Sequence, residues 1–105
     1  MSPYATAGNY RKLTQEEANL ICVRHDRLWT SRPGGARAVF SWMDLSDLDF
    51  RGRNLCDADF SGSTLEGCRL TRTRLDRAAL FGCDLRGADL RDCSLVRAEI
   101  GRAHV

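Results

Sequence analysis

From residue 40 to the end of the chain, every fifth residue is large and apolar: Phe40, Leu45, Phe50, Leu55, Phe60, Leu65, Leu70, Leu75, Leu80, Leu85, Leu90, Leu95, Ile100 and Val105. Two places before each stands a second column, from Ala38, Met43 and Leu48 to Cys93, Ala98 and Ala103, small or apolar throughout except at Arg53. The other three columns are dominated by Asp, Arg, Ser and Gly. Such a repeat sets the architecture before any helix or strand is assigned. Along an α-helix, a five-residue step turns by about 500°, a net of about 140°, so the apolar residues would scatter around the axis. Along a strand the same step sends successive apolar side chains to opposite faces. A chain that turns a corner every five residues satisfies the pattern. One large and one small apolar residue then point inward and three residues face water.

The units Ala58-Asp59-Phe60, Cys83-Asp84-Leu85, Ala88-Asp89-Leu90 and Ala98-Glu99-Ile100 resemble those of the pentapeptide-repeat family, which read A(D/N)Lxx. The resemblance covers about two-thirds of the chain, residues 38–105. It implies an all-β solenoid, a right-handed four-sided β-helix with about 20 residues per coil and about three coils. At about 4.8 Å per coil the rod would be about 15–20 Å long. Residues one coil apart should stack, giving the core columns Phe40/Phe60/Leu80/Ile100, Leu45/Leu65/Leu85/Val105, Phe50/Leu70/Leu90 and Leu55/Leu75/Leu95. Cys68, Cys83 and Cys93 fall in the small inward column and read as inert core. Cys56 falls on an outward column and Cys22 before the repeat, leaving those two as the candidates for reactivity.

Residues 1–12 read as a flexible N-terminus and 13–37 as a helix and turn that cap the solenoid. Thr14 suits an N-cap, Glu17 completes a capping box, and Leu13 and Ala18 sit where a hydrophobic staple forms. Ala18, Ile21, Cys22, His25, Leu28 and Trp29 follow helical spacing. Pro33-Gly34-Gly35 should end the helix. The stripe should cover the top of the solenoid and shield its strand edges, with His25 a boundary residue rather than a ligand or a base. The last coil has no such cover, which predicts partial self-association there, seen as concentration-dependent light scattering.

Composition adds limits. Hydrophobic residues make up 43% and charged residues 29% of the chain, ordinary for a globular domain. The N-terminus lacks the pattern of a secretory signal and no apolar stretch is long enough to cross a bilayer, so a cytoplasmic location is expected. Five cysteines without a C-x-x-C pair, and two histidines, argue against a disulfide framework and a metal site; no metal and no cofactor is expected. No catalytic motif is present, and a convex solvated surface neither raises a carboxyl pKa nor shields a substrate. The chain does not read as an enzyme.

Sorted by side, the charge is uneven. The sides centred on Phe40 and Leu45 carry six acids, Asp44, Asp47, Asp59, Glu66, Asp84 and Glu99, against Arg86 and Arg102. The other two carry eight arginines against five aspartates. Carboxylates in register along the coils can occupy a basic groove built for DNA phosphates. The family resemblance implies the same, because pentapeptide-repeat proteins include DNA mimics. The partners implied are a Cascade-type CRISPR surveillance complex, which this chain would inhibit as an anti-CRISPR, or bacterial gyrase, with no direct binding of nucleic acid or small molecules. Trp42 and Phe81 fall on the same acidic-leaning side, where they either pack under the N-terminal segment, the preferred reading, or anchor a partner. The alternative is a binding face built on Arg69, Arg72, Arg74 and Arg77. It is weakened by interleaved aspartates and by the lack of aromatics to stack on bases. Ion pairing between stacked coils accounts for these arginines more simply.

Overall fold

The structure, a computed structural model, describes residues 10–101 and 103–104. Residues 1–9 of the expected flexible segment, Arg102 of the acidic sides and Val105 of the core column lie outside them. Lys12, which belongs to that expected segment, is instead paired in the stack. It forms a parallel bridge to Asp44, with Leu13 N–H donating to Asp44 C=O (3.0 Å) and Asp44 N–H to Arg11 C=O (2.9 Å).

Helix α1 spans Gln15–Trp29. Its N-terminus is the capping box read from the sequence: Thr14 Oγ1 accepts the Glu17 N–H and the Glu17 carboxylate accepts the Thr14 N–H, each at 3.1 Å. The helix ends before Pro33, because Thr30 closes on Asp26 C=O and Ser31 turns to φ 56°. Gly35 then lets the chain pass back against the helix, where a Cβ would lie 2.5 Å from the Leu28 backbone. Ala18, Cys22 and His25 face the solenoid and are buried, with Ile21 packed beside them. Leu28 and Trp29, expected in the same stripe, are largely exposed. The buried line follows i, i+4, i+7, and Trp29 hangs over the rim, its indole N–H 3.3 Å from Cys56 C=O.

Beyond the helix, parallel bridges join residues 20 apart in four columns: Val39-Asp59-Ala79-Glu99, Asp44-Thr64-Asp84-His104, Asp49-Arg69-Asp89 and Asn54-Arg74-Ser94. Coil 1 is therefore 39–58, coil 2 is 59–78 and coil 3 is 79–98, with a fourth begun. Among the described residues each side contributes one bridge residue rather than an extended strand, because a corner follows two residues later.

The corners explain the polar columns. From Leu45 onward, the N–H three residues on closes to the C=O of the large apolar residue, as in Arg53 to Phe50 (3.1 Å) and Ala58 to Leu55 (3.1 Å). The second corner residue has positive φ at Trp42, Asp47, Gly52, Asp57 and onward to Arg97, as a type II turn requires. The side chain before the large residue holds the corner. Asp59 Oδ1 accepts the Ser61 N–H at 2.9 Å, and Asp44, Asp49, Asn54, Asp84 and Asp89 make the same bond two residues on. This is the Asx-turn, and it gives the D/N of the repeat a physical cause.

The large column fills the interior. Phe40 and Phe60 stack with centroids 5.0 Å apart, and Phe50 meets both edge-on. From Phe40 to Leu80 these residues are at most 1% exposed, whereas Leu95 and Ile100 in the last turns reach 37% and 53%. Arg53, the exception in the small column, lies in coil 1 and reaches up to Asn19 of α1 (3.3 Å).

Candidate interaction surface

The six acids expected as a charged array do not share one environment. Asp44 and Asp84 are buried, at 6% and 1% exposure, which corrects their placement as surface carboxylates. They occupy the bridge position, Asp84 between the coils above and below and Asp44 between the segment at Lys12 and coil 2, and their oxygens hold corner N–H groups. Asp84 is also clamped by the Arg86 guanidinium at 2.5–3.1 Å, which holds its carboxyl below the usual range. Asp59 is half-buried in the same way, and Asp47, Glu66 and Glu99 are exposed.

Trp42 and Phe81, expected to pack beneath the N-terminal segment, are 62% and 51% exposed. Both stand at the corner between the first and second sides. Trp42 lies over Gly62 of the next coil and meets Tyr10 edge-on at 6.3 Å; Phe81 leans toward Gly101. The bridge column carrying Asp59 and Glu99 lies on one flank of this aromatic corner, and the corner carrying Asp47 and Glu66 lies beyond the other.

The arginines divide differently from the expected coil-to-coil pairing. Arg51, Arg86 and Arg91 each clamp the aspartate two residues earlier, Asp49, Asp84 and Asp89. Only Arg77–Asp57 (3.0 Å) joins two coils among the described repeat pairs, and Arg77 also lies 5.9 Å from the Trp29 ring centre. Arg74 stands 4.0 Å from Asp76. Arg69 and Arg72 make no ion pair among the described residues, and Arg72 lines an open recess of about 450 Å³ with Asp49, Arg51, Gly52 and Thr71. The signal for these clamps, Asp-x-Arg, was present in the chain.

The clamps make stability depend on acid. Hydrogen bonds from the Arg91 side chain, then from its backbone N–H, bring the Asp89 carboxyl down to about 2; Asp49 is lowered mainly by Arg51 and Asp76 by Ser94. A carboxyl lowered on folding stabilises the fold above its unfolded value, about 4, and loses that contribution as pH falls through the folded one. The urea midpoint should therefore drop between about pH 4 and pH 2. Asp89→Asn should flatten that limb, and an unchanged limb would show that the clamp does not couple to folding.

Cys22 and Cys56, the expected reactive candidates, are both buried, a correction for each. Cys56 lies beneath the rim of α1, where His25 and Trp29 bond its carbonyl. Burial pushes the Cys22 thiol up to about 11 and the Cys68 and Cys83 thiols up to about 12. Cys68, Cys83 and Cys93 donate to the carbonyls of Leu45, Phe60 and Leu70 in the coil above, at 2.8–2.9 Å. Native protein should thus react with a disulfide reagent far more slowly than urea-unfolded protein, and half-buried Cys93 should be modified first. Labelling of Cys56 ahead of Cys93 would contradict the geometry.

No group of three or more potential metal ligands converges among the described residues, and no helix is long and apolar enough to cross a membrane. The model of the family described as pentapeptide repeats matches residues 36–72 and 73–104, in 8 copies. No curated protein matches the chain. Among solved structures it is similar to a pentapeptide repeat protein from the cyanobacterium Cyanothece 51142, at 26% identity and TM-score 0.43, over 65% of this chain and 44% of that one. It is also similar to HetL, a pentapeptide repeat protein involved in heterocyst differentiation regulation from the cyanobacterium Nostoc sp. strain PCC 7120, at 26% identity and TM-score 0.30, over 67% of this chain and 35% of that one. The chain thus spans less than half the length of either structure. With four columns of coil-to-coil bridges and a family match across the whole repeat, the chain belongs to the pentapeptide-repeat family, whose fold is the right-handed β-helix.

Proposed function

We propose that the protein is a non-catalytic interaction module of the cytoplasm that docks through the aromatic corner between its first two sides. The observation that carries this reading is the exposure of Trp42 and Phe81 beside Asp47, Asp59, Glu66 and Glu99. Exposed aromatic anchors ringed by charge have the composition of a binding hot spot. The partner it fits is a protein with a basic, partly apolar surface, as nucleic-acid-binding proteins have. A narrower form is inhibition of a bacterial DNA-binding complex, Cascade-type or gyrase, by occupation of its DNA groove. With Asp44 and Asp84 buried, that form rests on four carboxylates rather than six.

A second reading uses the opposite sides, where Arg69 and Arg72 are exposed, make no close ion pair among the described residues (Arg69 acts on Asp49 at longer range) and would attract an anionic surface. The test compares the immobilised protein with a variant carrying Asp47→Asn, Asp59→Asn, Glu66→Gln and Glu99→Gln in a bacterial lysate. Proteins retained by the first, lost by the second and eluted by duplex DNA are expected. Retention that survives the four substitutions and instead requires Arg69 and Arg72 would replace the first reading with the second.

A further inference from the structure

We infer that the aromatic corner takes an α-helix of the partner, laid along the solenoid axis and carrying an apolar stripe with Lys or Arg on both flanks. This rests on the interaction reading and names the element recognised. Trp42 belongs to coil 1 and Phe81 to coil 3, two coil steps apart, or about 10 Å at the spacing of paired strands. An α-helix repeats every 5.4 Å, so residues i and i+7 lie about 10.5 Å apart on one face. One helical turn therefore meets about one coil, and the i and i+7 side chains reach the two rings together. The corner of coil 2 between them is Ser61-Gly62, where the Trp42 ring lies over Gly62, and Gly82 beside Phe81 adds no side chain of its own. An extended strand, whose same-face residues repeat at about 6.6 Å, does not share this step.

Charge selects the flanks. Asp59 and Glu99 border the corner on one side, and Asp47 and Glu66 stand beyond the other, where Arg86 follows Glu66 one coil on, so the second edge of the helix needs its bases only over coils 1 and 2. The same carboxylates repel a nucleic acid.

The test uses a synthetic Leu/Lys amphipathic peptide of about 18 residues, long enough to cover three coils. Its control has the same composition, scrambled so that no stripe forms. In a Trp29→Phe background Trp42 is the remaining tryptophan of the two, and its emission should shift to saturation with the amphipathic peptide alone. Phe81→Ala should weaken binding about tenfold or more, as expected of an anchor. Asp59→Asn with Glu99→Gln should weaken it and reduce its salt dependence. Phe81 and Glu99 are exposed and asparagine at 59 keeps the oxygen that accepts the Ser61 N–H, so the variants should keep the urea midpoint of the Trp29→Phe parent, which verifies folding. Equal binding of the scrambled peptide, or binding indifferent to Phe81→Ala, would overturn the inference. If that happens while lysate partners still elute with duplex DNA, the helix fails and the interaction module stands. If no lysate partner depends on the carboxylates, the module reading fails on its own.

Discussion

Phe60→Ala is expected to cost about 3–5 kcal/mol, a large part of what a domain of this size has to lose. The Phe60 ring is fully buried, stacked on Phe40 with the planes 13° apart and met edge-on by Phe50 at 6.0 Å. Alanine would leave a void between coils 1 and 2 that neither coil can close, because bridges at Asp59, Thr64, Arg69 and Arg74 fix the coil spacing. The coil below shows what the site also tolerates, since Leu80 occupies the same column. Phe60→Leu should therefore retain most of the stability while losing the ring stack. Ile100→Ala, at a position already half open to solvent, should cost under about 1 kcal/mol. Urea unfolding of the three variants gives the ranking directly. A Phe60→Ala midpoint no lower than that of Ile100→Ala would mean that the phenylalanine cluster does not hold the upper coils together.

The five-residue period was enough to read the corners and the inward placement of Cys68 and Cys83, because a corner every five residues leaves few other ways to bury the large column, while the coil length and the stacked columns came from the family resemblance. The capping box was equally legible, being local: Thr14 and Glu17 need only each other's backbone. What escaped was the difference between outward columns. The residue before each large one points away from the core, yet it is gripped by a coil on either side. Asp44, Thr64 and Asp84 are buried there while Asp47 and Glu66, at the corner, are not. That depends on stacking and not on composition, so six similar carboxylates divided into structural and exposed sets. Cys56 was misplaced for a related reason. Its column is outward in coils 2 and 3, as at Val96, but in coil 1 it lies under the rim of α1. The exposure of Trp42 depends in turn on where the N-terminal segment crosses. Residues 11–13 pair on the second side, at Asp44, so of the described N-terminal residues Tyr10 reaches the Trp42 ring, edge-on, and the ring stays 62% exposed.

His25 is the other residue on which the upper end depends, and its replacement separates hydrogen bonding from packing. The ring is fully buried. Nδ1 accepts the Ala38 N–H at 2.9 Å and Nε2 donates to Cys56 C=O at 2.8 Å, so the imidazole is neutral with its proton on Nε2. These two bonds tie α1 to the chain entering coil 1 at Ala38 and to the last part of coil 1 at Cys56, beside the Ala36 N–H bond to Arg24 C=O (3.0 Å) and the Gln15 bonds to the Asp49 backbone. His25→Ala should cost about 2–4 kcal/mol, combining a lost ring with a buried donor left unpaired at Ala38. His25→Phe keeps the volume and loses both bonds. If hydrogen bonding sets the attachment, His25→Phe should be nearly as damaging as His25→Ala, and the Ala38 amide should exchange with solvent much faster in both while the Leu70 amide, deep in coil 2, stays protected. The Leu70 amide is the proper reference because its bond to Asp89 C=O (2.9 Å) involves neither the helix nor coil 1. If His25→Phe matches the parent in urea midpoint and in Ala38 protection, the imidazole is only a filler of the right size, and the helix is held by apolar contact through Ala18, Ile21 and Cys22 together with the Gln15, Asn19 and Trp29 bonds to coil 1.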